Sequence, residues 1–354
     1  MPGTIPTVVP YAPKKIKRDT EFTFTIACKP NSNPLQNHTF VFVGFKNDEG
    51  NYELLGSWGK LTNHEKYNFN DFLLSETDAY IRNEPTFYKN DKETPFEMDV
   101  EYISYGMTYE QLIGFYQYLK QLESSSSNPE LTNSKKEKVK IHYQAFIPNP
   151  ITPQTGDTIE FVWDYTMRLK EGETAAISEE DAASHFRVGR INTCRDEACV
   201  LAKQALQTDD LGVGVPKNFM KQLPLKAKIS GGMILNNPHP FLALPLPPKS
   251  FPDMDKSSMK IVEQLYKRMN RMILIAQENP ITYEKFNKYK ELYNQITRDQ
   301  KADLIVIKEI MSSFLSSNKA LISTHRGFHF WGQKTASEKM FDNILKTDPK
   351  PSLK

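Results

Sequence analysis

The sequence predicts an α+β protein, an antiparallel sheet with a cysteine-bearing helix packed on it, followed by a helical C-terminal region. Three observations carry this. Strand-like runs fill the first half of the 354 residues, an amphipathic helix pattern begins at "INTCRDEACVLAKQAL" (191–206), and helical periodicity takes over from about residue 255.

Taken in order, residues 1–20 are punctuated by prolines and are expected to be an extended or disordered arm. "EFTFTIAC" (21–28) alternates apolar and polar residues, as a half-buried strand does. "NHTFVFVGFKNDEGNYELLGSWGK" (37–60) reads as a hairpin whose first arm is apolar on both faces, hence central, with "NDEG" as its turn. "FEMDVEYISYG" (96–106) is a third strand. "TYEQLIGFYQYLKQLE" (108–123) is a helix, capped by Thr108 and Gln111, with Leu112, Ile113, Tyr116 and Leu119 as its buried stripe.

Residues 124–138 are polar and aperiodic and read as a loop. Two strand-like runs, 139–148 and 158–169, form an inserted hairpin. Three helical segments follow the proline-rich stretch 223–253, at 255–279, 281–299 and 301–318. The expected domains are therefore 21–253 and 254–354. The methionines of the second (Met259, Met269, Met272, Met311) are read as packing.

Composition excludes several classes. A net charge of +2 implies neither nucleic acid nor an anionic membrane as partner. No apolar run reaches membrane-span length, and the N-terminus has its basic residues after a weak apolar part, the reverse of a secretory signal. Three cysteines are too few, and odd in number, for a disulfide framework, which favours a reducing compartment. "GVGVPKNF" (212–219) lacks a phosphate-loop ending, so no nucleotide is expected. His325 and His329 stand four apart in "THRGFHFWGQK" without further ligands nearby; no metal or organic cofactor is expected.

The chemistry centres on Cys194. Thr193 and Asp196 match a capping box, which places Cys194 in the first helical turn, where the helix dipole favours a thiolate. Arg195 is expected to assist. Cys199, one turn further, is read as a small core residue. A cysteine nucleophile needs a base, and of seven histidines His38 is the best placed, at the start of "HTFVFVGF" on a central strand.

A histidine opening an apolar strand, then a hairpin, then an "NTC" helix start far downstream resembles the circularly permuted papain-like group, which includes permuted NlpC-type and lecithin:retinol acyltransferase-like thiol enzymes. The capped helix "MTYEQLIGFYQYL" resembles one found in bacterial members. The resemblance implies a papain-like sheet with a packed cysteine helix. It also implies an acyl transfer through a thioester, with Cys194 as nucleophile and His38 as base.

The third group should come from the second hairpin arm, on the His38 face. A two-residue turn puts Glu53, Ser57 and Gly59 there; a three-residue turn puts Leu54, Trp58 and Lys60 there instead. Glu53 is the candidate, because an acceptor is needed to hold the imidazole; His64, in a polar loop, is a weaker choice. The Cys194 amide is the expected oxyanion donor.

The function expected is a cysteine-dependent hydrolase or acyltransferase acting on an amide, peptide or ester bond of a peptide, protein or acyl substrate. The location expected by analogy is the cytoplasm, or export without a cleavable signal as a bacterial effector. The alternative is a non-catalytic interaction protein whose C-terminal helices bind a partner protein.

Overall fold

The computed structural model describes residues 11–62, 77–87, 95–132, 137–152, 156–169, 176–189, 192–235, 239–325 and 334–346. It is α+β. The chain divides into two compact units, 1–211 with 215–241, and 212–214 with 242–354.

The first unit is built on long antiparallel strands. These are β2 (Phe22–Lys29), β3 (His38–Lys46), β4 (Tyr52–Thr62), β5 (Thr77–Asn83) and β6 (Glu97–Met107), joined by the short β11 (Arg187–Val188), β12 (Leu225–Ser230) and β13 (Met233–Leu235). Pairing runs β11-β5-β4-β13-β12-β6-β2-β3, and β3 also pairs with β4, so six strands close into a ring. The ring closes because β4 is long enough to share its far edge: Tyr52 and Glu53 face β13, while Trp58–Thr62 face β5. The ring encloses one face of β2 and β3 and the helix Cys194–Leu206 packs on these two strands as well, so both are buried along nearly their whole length. The β12–β13 turn is the two glycines Gly231 and Gly232, both at positive φ, which a two-residue hairpin favours.

The "NDEG" turn joins β3 to β4, with Gly50 at φ 86° and its N–H bonded to the Asn47 carbonyl. A bulge follows, because Val43 pairs with Gly56 but Gly44 pairs with Leu54. The extra residue changes which side chains of β4 share a face with those of β3.

Helix α1 (Tyr109–Ser124) carries the expected capping box of Thr108 and Gln111. Its buried stripe is Leu112, Phe115, Tyr116 and Leu119; Phe115 takes the place expected of Ile113 and packs edge-on against Phe24 and Trp58. The acidic segment forms the short helix α2 (Glu179–His185), capped by Ser178. Helix α3 (Cys194–Leu206) lies on β2 and β3.

Three local expectations change. The arm is not wholly irregular: Lys14–Lys17 is strand β1, paired with β10 (Thr158–Asp164), because Ile16 has a buried site to fill. Residues 1–10 of the arm lie outside the described residues. The stretch 124–138 is not all loop, since β7 (Glu130–Thr132) pairs with β8 (Lys138–Lys140). The run 139–148 is not one strand but ends β8 and then makes β9 (Ala145–Pro148), which pairs with β10.

The second unit is helical. It holds α4 (Lys256–Ile273), α5 (Pro280–Thr297), α6 (Leu304–Ser317), α7 (Lys319–Ser323) and α8 (Ala336–Lys346). The "NP" dipeptide starts a helix, with Asn279 as cap and Pro280 in the first turn, where proline's missing N–H costs nothing. Met269, Met272 and Met311 are fully buried packing residues. No described helix is long and apolar enough to cross a membrane.

Candidate active site

The first turn of α3 forms as its sequence requires. Thr193 accepts from the Asp196 N–H through its hydroxyl at 3.2 Å, and Asp196 accepts from the Thr193 N–H at 2.9 Å. The box fixes Cys194 as the first helical residue, half-buried, with its thiol aimed at the start of β3. The Thr39 N–H donates to Cys194 Sγ at 3.3 Å, the thiol lies 3.9 Å from the Asn37 carbonyl, and this places it beside His38, the residue between those two. The Cys194 amide is one of the first-turn N–H groups that no intrahelical carbonyl can serve.

Arg195, expected to assist the thiol, is committed to other partners. It is fully buried and donates to Thr39 Oγ1 at 3.0 Å, and to the carbonyls of Pro216 and Lys221 at 3.5 and 3.3 Å. Five fixed donors on a planar group suit this task of tying α3, β3 and the 216–221 segment together.

His38 Nε2 bonds Glu84 Oε1 at 2.8 Å, which leaves Nδ1 for the thiol. Glu84 follows β5, and its N–H is anchored to the Ser57 carbonyl at 3.1 Å. Between the two partners stands Gly59 of β4, paired with Phe40 on one side and Arg82 on the other. A Cβ at Gly59 would lie 2.1 Å from Glu84 Oε1 and 2.7 Å from His38 Nε2. The carboxylate therefore reaches across a strand only because that strand offers no side chain at the crossing point.

Electrostatics follow from this contact set. Burial opposes the imidazolium, but hydrogen bonds to Cys194 and Glu84 and the attraction of both outweigh it, so the His38 pKa is held well above its ordinary value. Burial likewise opposes the Cys194 thiolate, while the His38 hydrogen bond and charge and the Thr39 N–H outweigh it, so the thiol is held below its ordinary range. Both directions favour a thiolate–imidazolium pair at neutral pH. The other two thiols differ: burial raises Cys28, and burial pushes Cys199 up to about 11.

Glu53 does not stand beside His38, and that expectation is corrected. It pairs with Phe45, seven residues along β3 from His38, or roughly 23 Å at strand rise. The bulge also turns it to the opposite face, while Ser57 and Gly59 remain on the His38 face. Glu53 instead binds Lys14 and, at 2.9 Å, Asn47. His64 and His329 lie outside the described residues, and no metal-binding cluster occurs among those described.

Glu84 is the residue sequence reading missed. Its signal was the alternation of Ala79 and Ile81 in "TDAYIRNEP", both fully buried, which marks β5. A glycine on the histidine face of β4 was the second clue. Compared with known protein families, curated proteins and solved structures, the chain finds no match.

Proposed function

We propose that the protein is a cysteine-dependent acyl-transfer enzyme, a thiol hydrolase or acyltransferase acting on an amide, peptide or ester bond. The observation that carries this is Cys194 at a helix start, its sulfur held by the Thr39 N–H, beside the hydrogen-bonded pair His38–Glu84. Cys194 attacks the acyl carbon as the thiolate. The bond to the leaving group breaks, and His38 gives that group its proton. The resulting thioester passes its acyl group to water or an amine, with His38 as base. Glu84 keeps Nδ1 facing the thiol and stabilises the imidazolium. The Cys194 N–H is a donor for the oxyanion.

The order of the elements, histidine strand before cysteine helix with the helix lying on that strand, supports a permuted papain-like arrangement. All three thiols are free, in keeping with a reducing compartment or a translocated effector.

The test is trapping with an activated ester. 4-Nitrophenyl acetate should acetylate Cys194, and the release of nitrophenol should show a burst. Cys194→Ala and His38→Ala should each remove that acylation by about 10²-fold or more, with the double variant little worse than either. Folded variants that keep the burst would turn the reading towards a partner-binding protein.

A further inference from the structure

A cavity of about 270 Å³ opens on the histidine side of the pair. His38 and Glu84 line it, together with Lys29, Arg82, Gln36 and Asn31, while Cys194 does not. The two cations are placed by strand register rather than by chance of loop conformation. Lys29 is the direct cross-strand partner of His38 on β2, so their side chains share a face. Arg82 is the partner of Gly59 and stands two residues before Glu84, so it too lies on the His38 face, one strand beyond β4. Both are exposed, and among the described residues neither is drawn into an ion pair. Lys29 is further held by the ring of Phe96, 5.8 Å from its ammonium. The one carboxylate in the lining, Glu84, is buried and bonded to His38.

This deepens the acyl-transfer reading and rests on it. In that reaction the departing group takes its proton from His38 and so leaves over the imidazole, away from the thioester. The cavity adjoins that same imidazole, which forms part of its wall. We infer that Lys29 and Arg82 select a leaving group, or the acceptor that replaces it, carrying an anionic substituent such as a carboxylate. Two positive side chains attract it, and the Gln36 and Asn31 amides can donate to it.

The experiment compares two acetyl esters with the same reacting bond. One is 4-acetoxy-3-nitrobenzoate, whose leaving phenol carries a carboxylate; the other is its neutral methyl ester. Acetylation of Cys194 is followed by mass spectrometry, beside iodoacetamide labelling of the same thiol. The methyl ester has the more acidic leaving phenol, so each rate is divided by that ester's rate with a small free thiol. The corrected rate of the anionic ester should then be higher by about threefold for each cation at roughly 6 Å in water-like surroundings, or about tenfold for both. Lys29→Gln and Arg82→Gln should each reduce the anionic-to-neutral ratio by about threefold, and rising salt should do the same to the wild type.

Equal corrected rates, a corrected preference for the methyl ester, or a ratio unmoved by both substitutions would overturn the inference. So would rapid iodoacetamide labelling without acetylation by the anionic ester. Those outcomes leave a reactive Cys194 standing. Loss of the enzyme reading shows differently, as slow iodoacetamide labelling of Cys194 with no acetylation by either ester.

Discussion

Two histidine–glutamate pairs flank the same helix, and they differ in what surrounds them. His38–Glu84 meets a thiol and a cavity, with the His38 side chain 21% exposed. His185–Glu197 lies one turn along α3 from Cys194, its Nδ1 2.6 Å from the carboxylate, and both side chains are nearly inaccessible. Its other contacts are all structural. Tyr118 meets His185 Nε2 at 2.7 Å, and Lys60 bridges Glu197 at 3.1 Å, Asn192 at 2.8 Å and the Ser184 carbonyl at 3.4 Å. Burial disfavours the Glu197 carboxylate, yet the His185 hydrogen bond and the Lys60 charge hold its pKa below the usual range. The same two residue types thus make a brace in one place and a candidate catalytic base in the other. What separates them is access and a nucleophile, not the pair itself.

The largest expected effect that breaks this comparison is on stability. Glu197→Ala leaves the Lys60 ammonium buried without its counter-charge, which should cost about 3–5 kcal/mol. Urea unfolding should show the loss, while Glu84→Ala should cost less, because its partner His38 is 21% exposed and, unlike Lys60, can give up its proton when the carboxylate is gone. Equal losses would mean that the two pairs are not different in kind.

A smaller effect, on catalysis, sharpens it. A hydrogen bond to a charged group is worth about 1.5–3 kcal/mol, so Glu84→Gln should slow acylation of Cys194 by about tenfold to a hundredfold. Gly59→Ala should act in the same direction by forcing Glu84 and His38 apart. Glu53→Gln, on the far face, is the control that should leave acylation within about twofold, since its partners are Lys14 and Asn47.

The smallest effect is a shift in pH profile. The Cys194 pKa is lowered, so its thiolate persists as pH falls below the ordinary thiol value; the His38 pKa is raised, so its imidazolium persists as pH rises above the ordinary histidine value. Iodoacetamide labelling of Cys194 should therefore stay high across neutral pH, whereas Cys199 should label only as pH approaches its value of about 11. Glu84→Gln should move the alkaline limb of the acylation profile downwards, because the carboxylate helps hold the proton on His38. An alkaline limb unmoved by that substitution would remove Glu84 from the pair.

The α+β class, the strand at His38, the capped helix at Cys194 and the helical second unit were legible in the sequence alone. Each rests on interactions between residues close along the chain: alternation within a strand, a cap three residues from its partner, a 3.6-residue period. Even the meeting of Cys194 with His38 could be anticipated, since it needs only that helix to lie on that strand. The third group was not legible. Its place depends on a one-residue bulge at Gly44, which turns Glu53 to the other face, and on a strand beyond the hairpin that brings Glu84 across Gly59. Strand register and the order of strands are set by how whole sheets close and pack. Only the tertiary structure decided which of several acidic residues reached the imidazole, and which strands placed Lys29 and Arg82 beside it.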